Sequence, residues 1–252
     1  MKPHARQIRI AEIIGREGEV SVEDMASRFE VSAETIRRDL ALLVESGQAQ
    51  KVHGGARRAR LIVEGSFAER LDRQATAKNR IGRRLADAVE PGETLFIDTG
   101  STTLAAAEFL AAIPQLTVIT NSCRLAERLA QGGSDAAIYL LGGRYHGDNA
   151  ETTGPGAIEQ IGAFQADRAV LTVAAVLPDV GVMDASFEEA QVARAMIANA
   201  RTLTVLADHT KFGRRAAFSV CKCGDIDHLV TDQHLDRDNR HALTSLGVDV
   251  WS

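Results

Sequence analysis

Two observations predict an α/β chain in which a winged helix-turn-helix is joined to a mostly parallel α/β domain. The first sixty residues carry helical periodicity punctuated by two serine caps. From about residue 69, short apolar segments alternate with helical ones. The 252 residues also exceed one average domain. The expected division is an N-terminal module over 1–58, a linker over 59–75 and a larger domain over 76–252.

Composition narrows the class. With 45% hydrophobic and 25% charged residues, the chain resembles an ordinary globule. It has no run of eighteen apolar residues for a membrane span, and its MKPHARQIRI start lacks an apolar export segment. A cytoplasmic location is therefore expected. Cys123, Cys221 and Cys223 form an odd set, and Cys221-x-Cys223 lacks the second ligand pair of a zinc site. Reduced thiols and no metal are expected. No GxGxxG or HExxH spacing is present, so no cofactor is expected either. The net charge of −5 hides a change of sign. Residues 1–60 hold eleven Lys and Arg against nine Asp and Glu; residues 61–252 hold eighteen against twenty-five.

Taken in order, Ile8, Ile10, Ile13 and Ile14 predict a helix over about 4–16, ended by Gly18. Ser21 and Asp24 form a capping-box variant opening a short helix, with Met25, Ala26 and Phe29 inward. Glu30-Val31 makes a turn, and Ser32 caps a third helix whose Ile36, Leu40 and Leu43 share a face before Gly47 stops it. Ala49–Val52 and the turn at His53-Gly54-Gly55 read as a small wing, followed by a basic linker of Arg57, Arg58 and Arg60.

A short capped helix, a turn and a longer capped helix match the helix-turn-helix plan. Ser32, Glu34, Thr35, Arg37 and Arg38 gather where hydroxyls, arginines and the positive end of a helix dipole meet phosphates and base edges. With Lys51 and His53 on the wing, they are the expected contacts to double-stranded DNA. Taken singly, Arg37 and Arg38 would read as solvated charges, one paired with Asp39; Lys51 is open between wing and contact roles.

In the larger domain, helices are expected over Thr76–Val89, Thr102–Ala112, Ser122–Gln131, Glu188–Ala200 and about Arg237–Leu246. Strands are expected at Leu95–Ile97, Leu116–Ile119, Ala137–Leu141, Ala169–Val176, Thr202–Ala207, His228–Thr231 and Val248–Trp251. Gly154-Pro155-Gly156 reads as a turn before a further helix. Ligands in such sheets bind at the carboxyl ends of strands. Those ends read Asp98–Thr103 before a helix, Thr120-Asn121-Ser122, Gly142-Gly143 and Ala207–Gly213 with Lys211. Glycine, hydroxyls and a lysine converging on one rim suit an anion.

The same residues carry a family resemblance over almost the whole chain. Val20–Val22, Val31-Ser32, Thr35–Leu40, Gly47 and His53–Ala56 resemble the N-terminal signature of the DeoR family of bacterial transcriptional regulators. Gln50-Lys51 stands where that family usually has a basic residue before the wing histidine. Phe67–Leu71, Ile97–Thr103, Thr120–Ser122, Leu141–Gly143, Phe187–Ile197 and Ala207–Gly213 resemble its effector domain. The resemblance implies a sensor domain related to ribose-5-phosphate isomerase and CoA transferases, and a repressor controlled by a phosphorylated sugar. Carried over by residue, Asp98, Gly100, Ser101, Thr102, Thr103, Asn121 and Lys211 become effector contacts.

A homodimer or homotetramer is expected, because one such module makes too small a footprint for tight operator binding. Two other classes compete. Asp184, Glu188 and Glu189 could do acid/base work in a sugar-phosphate isomerase, although Ser186-x-x-Glu189 reads first as a capping box. A non-enzymatic scaffold whose helix-turn-helix binds protein would lack salt-dependent binding to promoter DNA.

Overall fold

The computed structural model describes residues 3–45, 48–58, 61–62 and 64–252. Gly47 and Arg60, expected to stop the third helix and to extend the basic linker, lie outside the described residues.

The N-terminal module runs α1 (Pro3–Glu17), β1 (Glu19–Ser21), α2 (Val22–Phe29), α3 (Ala33–Glu45), β2 (Ala49–Val52) and β3 (Gly55–Arg58). Ser21 caps α2 by accepting the Asp24 N–H at 3.1 Å, and Ser32 caps α3 by accepting that of Thr35 at 3.2 Å. Between them Glu30 adopts a left-handed φ of 52°, which makes the turn tight. Ile10, Ile14, Met25, Ile36 and Leu40 close the core. Ile8, expected on the same stripe, is instead half exposed, because that stripe narrows at the start of α1.

The wing is larger than the sequence predicts. β1 joins it, giving a three-stranded antiparallel sheet ordered β1-β3-β2. Arg57 and Arg58 belong to β3 rather than to a linker. A Cβ on Gly55 would stand 2.0 Å from the Val20 carbonyl oxygen, so this close strand approach requires glycine. Asp39 also departs from expectation. It is buried and bound by Arg6 of α1 rather than by a neighbouring arginine.

The larger domain follows as α4 (Phe67–Asp72), α5 (Ala75–Ala86), β4 (Thr94–Ile97), α6 (Ser101–Leu110), β5 (Thr117–Thr120), α7 (Cys123–Gln131) and β6 (Ala137–Leu140). A hairpin of β7 (Arg144–His146) and β8 (Glu151–Thr153) leads to α8 (Pro155–Ile161). Then come β9 (Ala166–Thr172), β10 (Ala175–Leu177), β11 (Gly181–Asp184), α9 (Phe187–Ala198) and β12 (Ala200–Leu206). The chain finishes with β13 (Phe218–Cys221), β14 (His228–Val230), α10 (Arg237–Ser245) and β15 (Asp249–Trp251). No described helix is long and apolar enough to cross a membrane.

Seven strands form a sheet in the order β15-β14-β12-β9-β4-β5-β6, every neighbouring pair parallel. Its central strands β4, β5, β9 and β12 are largely buried on both faces, as βαβ connections require, while the edge strands β6 and β15 are not. Phe96 points into one core with Ile161 and Met196, while Leu95 and Ile97 face the other with Ile81, Leu85 and Leu110. From β4 the order runs outward through β5 and β6; from β9 it runs the other way. The boundary between β4 and β9 is thus the topological switch point, where a crevice opens at the strand carboxyl ends.

One strand expectation is overturned there. Ala169–Val176 is not a single strand: β9 ends at Thr172, and the chain bends through Val173-Ala174 into β10. β10 pairs antiparallel with β11 in a second, three-stranded sheet. The run is apolar throughout because both pieces are buried, so hydropathy does not mark the bend.

Candidate functional site

On the N-terminal module, the first turns of α3 present their polar groups to solvent. Arg37 and Arg38 are exposed, as are Ser32 and Glu34. Glu34 lies 3.3 Å from Arg37, a surface pair held weakly enough to exchange for phosphate. The Thr35 hydroxyl is engaged with Ser32 at 2.9 Å, so it helps to set the helix start. Lys51 and His53 are exposed on the wing, where Arg57 is tied to Gln50 at 2.9 Å. Among the expected contact residues, Ser32, Glu34, Arg37 and Arg38 on α3 and Lys51 and His53 on the wing are thus open to solvent, and Thr35 is half-buried.

At the switch point a second site is built from the ends of several strands. Asp98, directly after β4, accepts the Thr172 N–H of the β9 end at 2.8 Å and so braces the crevice. Burial pushes the Asp98 carboxyl well above its ordinary value, and nearby Asp184 and Glu151 push it the same way. Gly100 then opens α6. No side chain caps that helix, and its first internal bond runs from the Leu104 N–H to the Gly100 carbonyl. The amides of Ser101, Thr102 and Thr103 thus form an uncapped positive helix end.

Gly100, Ser101 and Thr102 line a cavity with Thr172, Val173, Ala174 and Lys211. Glu64, Arg70, Asp184 and Glu189 complete its wall. The space is small, about 20 Å³, room for a single water. Lys211 lies 2.7 Å from Glu64, whose other oxygen is 2.6 Å from Arg70. Behind this wall Lys78 is buried and donates to the Arg70 carbonyl; its ammonium is pushed down to about 8 by burial.

Among the residues expected to contact an effector, the structure brings together Gly100, Ser101, Thr102 and Lys211. Asp98 sits just beneath them as a brace. The Thr103 hydroxyl turns back to the Asp98 and Gly100 carbonyls, at 3.1 and 3.0 Å. Asn121 is held lower, donating to the Thr152 carbonyl at 3.0 Å and to Glu151 at 3.4 Å. Gly142, from the third strand end, bonds to Gln160 instead of reaching the cavity.

Sequence reasoning missed Glu64 and Arg70, since they fall in the stretch expected to be a linker. Their signal was the Phe67–Leu71 segment, which carries Arg70 on the short capped helix α4. Glu189 also differs from expectation. Ser186 accepts its N–H at 3.3 Å as a cap should, but the Glu189 carboxyl does not return the bond. It meets Asn149 at 3.2 Å, and Asn149 also holds Glu151 at 2.9 Å. Burial raises both carboxyls.

Gly100 tests how tightly the site is built. A Cβ there would lie 2.1 Å from the Thr172 hydroxyl, between β4 and β9. Gly100→Ala is expected to cost about 1–3 kcal/mol by overpacking and to displace the α6 start. Thermal unfolding of the purified variant checks the cost; an unchanged midpoint would mean that Thr172 swings aside freely.

Comparison with known proteins places the chain in a family. Residues 6–60 match the DeoR-like helix-turn-helix domain, and residues 73–233 match the DeoR C terminal sensor domain. The glycerol-3-phosphate regulon repressor of Escherichia coli is 32% identical, the match spanning 92% of each chain. The E. coli HTH-type transcriptional repressor CsqR is also 32% identical, over 90% of this chain and 87% of its own. A ribose 5-phosphate isomerase A from Methanocaldococcus jannaschii aligns over 54% of each chain, at 14% identity and a TM-score of 0.40, too slight a likeness to build on. With the DeoR-like helix-turn-helix domain matched first and the DeoR sensor domain after it, the chain belongs to the DeoR family of DNA-binding transcriptional regulators.

Proposed function

We propose that the chain is a repressor of a sugar or carbohydrate catabolic operon, controlled by a phosphorylated sugar bound in the switch-point cavity. The observation that carries this reading is the pairing of two cations, Arg70 and Lys211, with the uncapped start of α6 in one cavity. A phosphate ester is the common metabolite group that such a set recognises: lysine supplies a point charge, arginine a planar fork, and the helix its amides. DNA reading then falls to residues 1–58 and sensing to 76–252 together with Glu64 and Arg70 of the stretch expected to be a linker. A regulator of this kind acts in the cytoplasm, where its operator is.

A homodimer or homotetramer completes the reading, because two recognition helices about 34 Å apart span one pair of half-sites. Effector binding alters operator affinity only through different affinities for two arrangements of the protein, a coupling of about 1–3 kcal/mol in typical cases. Promoter binding at fixed salt tests the DNA face. Arg37→Ala is expected to weaken it by about 1–3 kcal/mol, and an unshifted midpoint in a gel-shift titration would count against the assignment.

A thermal-shift screen against a panel of sugar phosphates, glycerol 3-phosphate included, tests the cavity. Lys211→Ala is expected to abolish the effector's influence while promoter affinity stays as in the parent. Loss of both responses, or of neither, would show that the lysine is misassigned.

One observation favours a second reading, an isomerase-like enzyme. Asp184 and Glu189 are buried carboxyls with raised pKa values in the same cavity, as acid/base work would need. Glu189, rather than Glu188, is the one at the cavity wall. Turnover of pentose phosphates that is lost in Asp184→Asn and Glu189→Gln would establish it. The regulator reading expects none.

A further inference from the structure

The cavity already contains an anion, and it is the protein's own. Each oxygen of Glu64 serves a different cation: Oε1 accepts from Lys211 Nζ at 2.7 Å, and Oε2 from Arg70 Nη1 at 2.6 Å. Burial alone would raise this carboxyl, but the attraction of Lys211 and Arg70 outweighs it and leaves Glu64 below its ordinary value. Asp184 and Glu189, in the same cavity, are shifted the opposite way. Glu64 is thus the wall carboxylate matched to the cation pair. Arg70 Nε is buried with no hydrogen-bond partner among the described residues, so the guanidinium has a donor to spare.

Glu64 does not come from the sheet. It belongs to the segment between the wing strand β3 and helix α4. Just before it, the Ile62 N–H bonds to the Arg215 carbonyl at 2.9 Å, and the Ile62 side chain packs on the small cluster of Ala174, Ala175, Met183 and Ala216. Just after it, Ser66 caps α4 in a complete capping box with Glu69. Ile62 and the capped start of α4 are thus both anchored near the carboxylate.

We propose that Glu64 is a built-in stand-in for the effector's phosphate: Arg70 and Lys211 are the two phosphate-binding side chains, and a phosphate monoester enters only by displacing the Glu64 carboxylate. The proposal rests on reading the cavity as a phosphosugar site and names how that site is regulated. Phosphate wins the exchange on chemistry. It brings up to two charges and three acceptor oxygens, enough to meet the lysine, the arginine fork and the α6 amides together. A carboxylate has two oxygens, and both are in use. The cavity, with room for about one water, also cannot admit a sugar phosphate while the latch is shut.

Displacement has a direct route to DNA. Glu64 lies six positions after Arg58, the end of β3. Fully extended, that stretch spans only about 20 Å. Releasing Glu64 removes a sensor contact that lies within this short distance of the wing. The effector's differential affinity for latched and unlatched states is the coupling energy the regulator needs.

The test uses the full chain and inorganic phosphate at constant ionic strength. Phosphate affinity is read by thermal shift, and the latch by hydrogen exchange at the Ile62 amide. In the parent protein, phosphate is expected to raise Ile62 exchange. Glu64→Gln is expected to exchange fast without phosphate and to bind it about tenfold tighter, if the latch is shut about nine-tenths of the time. Suppose instead that the parent binds phosphate and Lys211→Ala loses it, yet Ile62 exchange is unmoved and Glu64→Gln binds no tighter. The phosphate site then stands and the latch is overturned. Phosphate binding by neither parent nor variant overturns the site and the latch together. The exchange measurement on the parent decides the matter even if Glu64→Gln fails to fold.

Discussion

Asp39→Ala is expected to remove about 3–5 kcal/mol from the N-terminal module, enough to abolish DNA binding by unfolding rather than by lost contacts. Asp39 sits on α3 facing the core, where Arg6 Nε of α1 reaches one oxygen at 2.6 Å and Gln7 Nε2 the other at 2.9 Å. The Arg6 and Asp39 side chains are only 8% and 5% exposed, so water cannot replace the missing partner. Alanine leaves a buried guanidinium uncompensated, the costly half of breaking a buried pair. A domain of this size has a total stability of only about 3–8 kcal/mol. Denaturant titration followed by hydrogen exchange in α1 and α3 measures the loss, with the sensor domain's transition as internal control. The paired replacement of Arg6→Met with Asp39→Leu should recover most of the stability, because an apolar pair needs no compensation. A loss below about 1 kcal/mol in Asp39→Ala would show that the pair is hydrated in solution.

That pair also shows where sequence reading stops. The helices of the N-terminal module were legible because each carries an apolar face and two of them, α2 and α3, begin with a serine cap, both local signals. Asp39 stands beside two arginines in the sequence and binds neither, since its direction from the helix axis turns it inward to a residue 33 positions away. The sheet was legible in the same way, from alternation of apolar strands and helices. Its one misread strand, Ala169–Val176, bends at Thr172 where both halves are buried, and the bend forms part of the cavity. Gly100, Ser101, Thr102 and Lys211 were legible because they follow strands in a parallel sheet, where ligands are expected. Glu64 and Arg70 were not, because a charged residue in a connecting segment has no periodicity to say which surface it meets. Glu189 was masked by its own helix start: the Ser-x-x-Glu pattern satisfies a cap with the backbone alone and leaves the carboxyl free for other work.

Effector affinity is expected to peak near neutral pH and fall steeply on the alkaline side. The cavity's titrating groups all act in one direction there. Burial raises Asp184 to about 6 and Glu189 to about 9, so each is uncharged below its value and negative above it. Burial lowers Lys78, behind the wall, to about 8, so it is positive below that value and neutral above. Glu151, bridged to Glu189 through Asn149, is raised by burial as well. Between about pH 7 and 9 the cavity therefore gains negative charge and loses a positive one. Binding an anion opposes both changes, so it is coupled to proton uptake. Linkage makes affinity fall about tenfold per pH unit for each proton taken up. On the acid side Asp184 loses its charge near pH 6, which favours the anion, but a phosphate monoester loses its second charge near pH 6 as well, and that loss acts directly on its hold on Lys211 and Arg70. Calorimetric titration in buffers of different ionisation enthalpy counts the protons directly. Glu189→Gln should flatten the alkaline limb without moving the acid one, which the phosphate sets. An affinity that stays level from pH 7 to 9 would mean that the acids of this wall do not sense the bound anion.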